Sequence, residues 1–304
     1  MDIKEFGKML AAEVKDVLGG DYHIEVSEVV KNNGVIRNAL AIRKEGEFVS
    51  PTIYIDSFFE DYRNGVMLMS IVKDLVKMYH ASSVPAAGME MDFFRDFSEV
   101  SGRMYYKLVN YEKNKVSLKD IPYRKVLDLA MVPLCRVDND IIGSGNITVT
   151  NTHLRMWEIS EEELWENIKE NAPKLAPVKV RGLADVLQRI TGCEDDLFPV
   201  CGIYVVSNEA DCLGAGAALY PGVLKGLAED HECDLYIIPS SIHEVLVLPD
   251  SEFGIDVNNL RSIINEVNTS TVGDEEILSD NLYVYHSDSD RLLIADNEEE
   301  RLEA

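Results

Sequence analysis

The sequence predicts an α+β protein with mainly antiparallel sheets, flanking helices and two subdomains. Three observations lead there. The chain opens in the order helix, three strands, helix, which suits an antiparallel sheet with helices on one face. Short turn signals separate several β-prone runs, as in hairpins. The chain of 304 residues is long enough for two domains, and its charge is unevenly divided between them.

Phe6, Met9, Leu10, Val14, Val17 and Leu18 recur at helical spacing, and Gly19-Gly20 closes that helix. In "YHIEVSEVVKNNGVIRNALAIR" two β-prone runs flank Asn33-Gly34, a pair that tolerates the positive φ of a type I′ turn. "PTIYID" (Pro51–Asp56) reads as a third strand. Leu68, Ile71, Val72, Leu75, Val76 and Tyr79 then form one apolar helical stripe. Pro85 and Gly88 mark a loop, and "MDFFRDF" reads as a short helix carrying three aromatics.

Further on, "KVLDLAMVPLCRV" reads as one buried strand and "NITVT" as another. In "NTHLRMWEISEEELWENIKENAP", Ser160 and Glu163 have the spacing of a capping box. Ile159 and Leu164 are placed as a hydrophobic staple, and Pro173 as the helix end. A strand at "GIYVVS", a helix from near Pro221, and a strand pair in "DLYIIPSSIHEVLVLP" follow. A helix from Asp256 to about Val267 and short strands at "LYVYH" and "RLLI" complete the pattern. The expected organisation is an N-terminal α+β subdomain over 1–115, an acidic C-terminal α+β subdomain over 116–295, and an acidic tail over 296–304.

An apolar fraction of 46% with 27% charged residues is that of a chain that folds around a real core. The net charge is −25. Residues 1–150 hold 19 Lys+Arg against 22 Asp+Glu, a net of −3, and residues 151–304 hold 10 against 32, a net of −22. A half this acidic repels phosphate backbones and anionic lipid, so neither nucleic acid nor membrane is an expected partner. The start "MDIKEFGKMLAAEV" lacks the basic and apolar pattern of a signal peptide. The five scattered cysteines, Cys135, Cys193, Cys201, Cys212 and Cys233, read as reduced thiols rather than a disulfide framework. The expected location is cytoplasmic.

"SPTIYIDSFFEDYRNG", "NTHLRMWEISEEELWENIKENAPKL" and "YPGVLKGLAEDHECDLYIIPSSIHEVLVLPD" together resemble a bacterial family catalogued as domain of unknown function number fifty-six eighty-eight. The resemblance extends over essentially the whole chain. It implies a bacterial cytoplasmic protein and carries no catalytic residue or mechanism with it.

Three groups of residues are candidates for a site. Ser240, Ser241, His243 and Glu244 have hydrolase chemistry, although neither serine sits in a G-x-S-x-G elbow. Read as an extended strand, His243 and Glu244 point to opposite faces, and the serines suit a hairpin turn. The Gly214–Gly222 loop, with Gly214, Gly216 and Tyr220, invites a nucleotide reading. Leu219 replaces the third glycine of G-x-G-x-x-G and Pro221 blocks a continuous helix, which favours a loop needing free φ. His153 and Trp157, at i and i+4, form either an aromatic–imidazole ligand shelf or the docked face of a short helix.

No zinc-ligand spacing is present, and neither metal nor cofactor is expected. Glu161, Glu162 and Glu163 read as a solvated first turn complementing the helix dipole. The leading expectation is a non-enzymatic protein-binding module whose partner is a protein, and a basic one if it touches the C-terminal half. The alternatives are a hydrolase built on the Ser240–Glu244 hairpin and a small-ligand or nucleotide sensor built on the Gly214–Gly222 loop.

Overall fold

Asp2 starts the first helix. Its carboxylate accepts the Glu5 N–H at 2.8 Å while the Glu5 carboxylate accepts the Asp2 N–H at 3.2 Å, a reciprocal box that satisfies two otherwise orphaned donors. The helix, α1 (Ile3–Leu18), ends at Gly19, whose φ of 100° favours glycine. It belongs to a computed structural model that describes residues 1–45, 52–82, 92–139, 143–191, 202–250 and 257–295. These divide into two units: Met1–Asp92 with Asp138–Ser144, and Phe93–Val137 with Gly145–Ala304.

In the first unit α1 precedes β1 (Tyr22–Val30), β2 (Ile36–Lys44), β3 (Thr52–Tyr54), α2 (Asp56–Arg63) and α3 (Leu68–Ser82). The strands form an antiparallel sheet in sequence order. Asn33 and Gly34 take φ of 60° and 71°, and the Val35 N–H donates to the Asn32 carbonyl, as the Asn-Gly signal requires. Phe6, Leu10 and Val14 of α1 meet Leu40, Ile42 and Ile53 of the sheet and Ile71, Val72 and Leu75 of α3 in one core. Each such burial contributes about 1.5–3 kcal/mol. Gly7 lets α1 approach closely, since a Cβ there would lie 3.1 Å from both Val26 and Ile55 side-chain carbons.

The second unit begins with α4 (Phe97–Val100), β4 (Met104–Asn110) and α5 (Tyr111–Asn114). Then come β5 (Arg124–Val126), β6 (Leu129–Asn139) and β7 (Gly143–Thr148), of which the end of β6 and the start of β7 fall in the Asp138–Ser144 stretch of the first unit. β4 pairs along its length with β6, from Met104 opposite Cys135 to Asn110 opposite Leu129. Residues 93–115 therefore cluster with the C-terminal strands, and the boundary read at residue 115 falls inside this unit. The expected single strand "KVLDLAMVPLCRV" is a hairpin. Val126 pairs with Leu129 across a two-residue turn in which Leu127 has φ 55°, a conformation that a leucine rarely signals.

α6 (Asn151–Trp157) and α7 (Glu161–Leu175) follow. Ser160 Oγ accepts the Glu163 N–H at 3.1 Å, so the hydroxyl half of the expected box forms. Pro173 sits within the final turn, and the helix continues two residues past it. Leu164, Trp165, Ile168 and Ala172 form the buried face of α7, which lies against β4. The Trp165 indole N–H donates to the Pro122 carbonyl at 3.1 Å.

The remaining elements are β8 (Val178–Gly182), α8 (Leu183–Thr191), β9 (Tyr204–Asn208), α9 (Val223–His231), β10 (Leu235–Ile238), β11 (Val245–Pro249), α10 (Val257–Ser270), β12 (Tyr283–His286) and β13 (Arg291–Ile294). The strands form an antiparallel sheet in the order β13-β12-β10-β11-β9-β8. Alternation gives it two apolar faces. Tyr236, Leu248 and Val284 meet Ile264 and Leu260 of α10 on one face. Ile237, Val245 and Tyr283 meet Leu224 of α9 and a buried turn at Ala215–Leu219 on the other.

Ser160→Ala should lower the unfolding free energy by about 1 kcal/mol through loss of the α7 cap. Denaturant melts of variant and parent measure this, and coincident curves would contradict the capping role.

Candidate functional site

The loop between β10 and β11 spans residues 239–244, and His243 lies in it rather than in an extended strand as the sequence suggested. The difference arises because this loop is bonded to its surroundings at almost every step. The Ser240 N–H donates to the Ile238 carbonyl, the Ser241 N–H to that of Glu244, and the Ile242 N–H to that of Glu276. The His243 N–H donates to Ser241 Oγ at 3.1 Å. The His243 carbonyl accepts both the Gly214 N–H at 3.0 Å and the Ser207 hydroxyl at 2.8 Å.

The imidazole is engaged as well. Its Nδ1 accepts the Leu213 N–H at 3.1 Å, so the neutral ring carries its proton on Nε2, which faces Glu276 Oε1 at 3.6 Å. A general base needs a free nitrogen aimed at the hydroxyl it activates. Here one nitrogen holds a main-chain donor and the other faces a carboxylate. The geometry of Ser240, Ser241 and His243 is that of a structural clasp.

The Gly214–Gly222 loop is clasped from the other side. Gly214 has φ −93°, so its need for glycine is not conformational. A Cβ there would lie 2.3 Å from Ser207 Oγ and 2.5 Å from the Asn208 amide nitrogen. A Cβ on Gly216 would lie 2.7 Å from the Tyr106 ring, whose hydroxyl donates to the Gly216 carbonyl at 2.8 Å. The Gly214 and Ala215 amides donate to the carbonyls of His243 and Ile242. These amides are spent inside the protein, whereas a phosphate cradle must present them. Tyr220 donates to the Ala172 and Ala176 carbonyls at 3.2 and 3.1 Å, which anchors the loop to α7. Burial pushes its phenol up to about 12 and that of Tyr106 higher still, so both remain donors.

His153 and Trp157 are brought together with Phe94 and Phe97. Phe94 meets both rings edge-on, with centroids at 5.0 and 5.2 Å, and Phe97 lies 5.7 Å from Trp157. The Trp157 indole N–H donates to the Phe94 carbonyl at 2.7 Å. His153 Nδ1 accepts the Thr150 N–H at 3.1 Å, so the imidazole caps α6, and burial depresses its basicity. This is the docked face of a short helix.

The surface of the unit also carries a shallow, open depression over α7. It has a volume of about 540 Å³ and is lined by Phe97, Glu163, Glu166, Asn167, Lys169, Glu170 and Pro221. Glu163, Glu166 and Glu170 lie on one helical face at i, i+3 and i+7. Glu170 is tied to Lys174 at 2.8 Å on the exposed surface, and that pair holds its carboxyl below the usual range. The sequence reading takes Glu161, Glu162 and Glu163 as a solvated first turn and does not single out Glu166 or Glu170. Their period along "EEELWENIKE" was the available signal, while the flanking Phe97 and Pro221 come from distant elements. By contrast, a cavity of about 20 Å³ between the sheets is wholly apolar and too small for any ligand larger than water.

Two polar networks had no sequence signal. Asp234 Oδ2 lies 2.6 Å from His286 Nδ1, and Asp234 Oδ1 accepts both the N–H and hydroxyl of Ser287. Asp128 accepts from Ser279, Asn281 and Tyr283 at 2.6–2.9 Å. Both join residues more than fifty positions apart, and both tie strand ends. Among the described residues no group of three or more His, Cys, Asp or Glu could hold a metal ion, and no helix is long and apolar enough to cross a membrane. Cys193 and Cys201 lie outside the described residues.

Residues 3–287 match a family of unknown function, DUF5688. The chain belongs to this family. No curated protein and no solved structure matches the chain. The shared family therefore brings no activity, and the chemistry must be read from the side chains themselves.

His243→Ala should destabilise the protein by about 1–3 kcal/mol, because it strands the Leu213 N–H in a part-buried site. Ser241→Ala removes one acceptor and should lose about 1 kcal/mol or less. Denaturant titration separates the two. Covalent capture of Ser240 or Ser241 by a fluorophosphonate, abolished by His243→Ala, would overturn the clasp assignment.

Proposed function

We propose that the protein is a non-catalytic binding module of the bacterial cytoplasm, and that its C-terminal unit engages a basic protein segment in the depression over α7. The observation that carries this reading is the depression itself. Three carboxylates share it with the apolar side chains of Phe97 and Pro221. That mixture suits a peptide bearing cations around an apolar residue, since buried apolar area supplies affinity and the charges supply orientation and rate. The −22 of residues 151–304 extends the same field over the surrounding surface. The candidate base His243 and the amides of the phosphate loop are both engaged in internal hydrogen bonds, which favours binding over catalysis at those places.

The cytoplasmic part of the reading rests on the thiols. Cys135, Cys212 and Cys233 are free. Cys135 is buried, and desolvation pushes its thiol up to about 11, the state of an inert small core residue.

A fluorescent peptide of alternating Lys and Leu should bind the full chain, and its affinity should fall as salt rises past ~0.1 M, where the Debye length shrinks to about 10 Å. The paired change Glu166→Lys with Glu170→Lys should weaken binding at least tenfold while leaving the circular dichroism unchanged. Equal anisotropy curves for variant and parent would remove the α7 depression as the site.

A further inference from the structure

One stretch of the second unit reverses the charge of the rest. Residues 111–125 hold five Lys+Arg, namely Lys113, Lys115, Lys119, Arg124 and Lys125, against Glu112 and Asp120, a net of +3 in a chain of −25. All five cations are exposed. Between them Val116 is 79% exposed, the largest exposure among the large apolar side chains that stand out from this surface. It sits just beyond α5, on a segment held from beneath. Leu118 is buried in a core with Val109, Ala130 and Val132. The Asn110 side chain accepts the Lys113 N–H at 2.9 Å, and the Asn114 amide donates to the Asn110 carbonyl at 2.8 Å. The segment is therefore a built feature that presents an apolar side chain within a cationic stretch, in which Lys115 is also paired with Glu112 and Lys113 lies 3.9 Å from Asp280 on the exposed surface.

The aromatic residues beside it restrict what the stretch can receive. The Tyr111 and Tyr123 rings meet at a tilt, with centroids 5.7 Å apart, and the Lys125 and Lys115 ammonium groups lie 4.3 and 5.4 Å from the centre of the Tyr111 ring. Arg124 lies over Trp165 at 5.2 Å. Rings already covered by cations are not free to stack bases, which is what single-stranded nucleic acid binding requires. Carboxylates, which need only point charges, fit the patch better.

We infer that the occupant is a second copy of this chain, which seats Val116 and its flanking lysines in the α7 depression of its neighbour. This rests on the reading of that depression as a site for a basic segment, and it names the segment. The two surfaces match in kind. One is an exposed apolar side chain flanked in sequence by Lys113, Lys115 and Lys119, and the other is a shallow recess edged by Phe97 and Pro221 in which Glu163, Glu166 and Glu170 outnumber Lys169. Because knob and recess are different patches of one chain, the contact is heterologous. Each copy that uses one patch leaves the other open, so association runs head to tail and is not limited to a symmetric pair. The net charge of each copy opposes stacking, but at physiological salt that repulsion is screened beyond about 8 Å while the local contact is not.

Sedimentation velocity on the full chain at roughly 0.15 M salt, the physiological ionic strength, tests this with two surface variants. The knob variant carries Val116→Ser with Lys115→Gln, and the recess variant carries Glu166→Lys with Glu170→Lys. The parent should show concentration-dependent species larger than a monomer, and each variant alone should sediment as a monomer. Mixed in equal amounts, the variants should form a two-chain species and nothing larger, because each supplies the patch that the other lacks. A parent that stays monomeric up to about 100 μM, where a contact with a micromolar Kd would be saturated, overturns the inference. So do variants that associate like the parent, or a mixture that remains monomeric. If the Lys–Leu peptide still binds the parent in that event, the basic-segment reading stands and only the identity of the occupant falls. If the peptide also fails, both fall.

Discussion

The C-terminal unit is organised around a short turn with two positions that have no room for a Cβ. Within Gly214 to Leu219, Gly214 is closed in by Ser207 and Asn208 of β9 and the His243 loop, and Gly216 by the Tyr106 ring of β4. Interiors pack at crystal-like density, so a contact at 2.3–2.8 Å to a prospective Cβ cannot be relieved by a small shift of backbone atoms. The turn's own polar groups are satisfied by the same neighbours. The Gly216 carbonyl takes the Tyr106 hydroxyl, and the Gly214 and Ala215 amides take carbonyls of the His243 loop. The chain leaves the turn at Tyr220, which donates to the last carbonyls of α7. Both sheets and the acidic helix are thus positioned through one segment of small residues.

Much of this was legible locally, and the failures share a cause. The Asn33-Gly34 turn and the Ser160 cap depend on residues within four positions of one another, and both form. The strands flanking Pro239 likewise pair as their apolar runs suggested. The hairpin at Leu127-Asp128 was hidden because a leucine with positive φ carries no turn signature. β8 and α8 were passed over, although Val178 and Val180 alternate with lysine and arginine. The candidate site residues stand out in the sequence, but the partners that fix the role of His243 and Gly216 lie about thirty or more positions away. His243 meets Leu213, Gly214 and Glu276, and Gly216 meets Tyr106. No one-dimensional pattern records such pairings. A polar cluster that reads as chemistry can be the means by which loops are held together.

Charge follows a different logic from packing. The half-buried carboxylates Asp128 and Asp234 of the second unit each accept hydrogen bonds from several neighbours, whereas the excess carboxylates lie on exposed surface such as the first turn of α7. Exposed carboxylates stabilise little individually. Their sum still sets which molecules approach, and it makes the cationic segment at 111–125 a local exception. The fold thus separates what holds it together from what it shows to its surroundings.

The two tryptophans add a practical consequence. Both belong to the second unit, both are nearly buried, and each indole N–H is bonded to a main-chain carbonyl, Phe94 for Trp157 and Pro122 for Trp165. Residues 1–92 contain none. Tryptophan emission excited at the red edge of the absorption band therefore reports the C-terminal unit alone. The N-terminal unit is optically silent in that channel, and its tyrosines and helical dichroism supply a separate signal. One unlabelled sample can then show whether the two units melt together or apart.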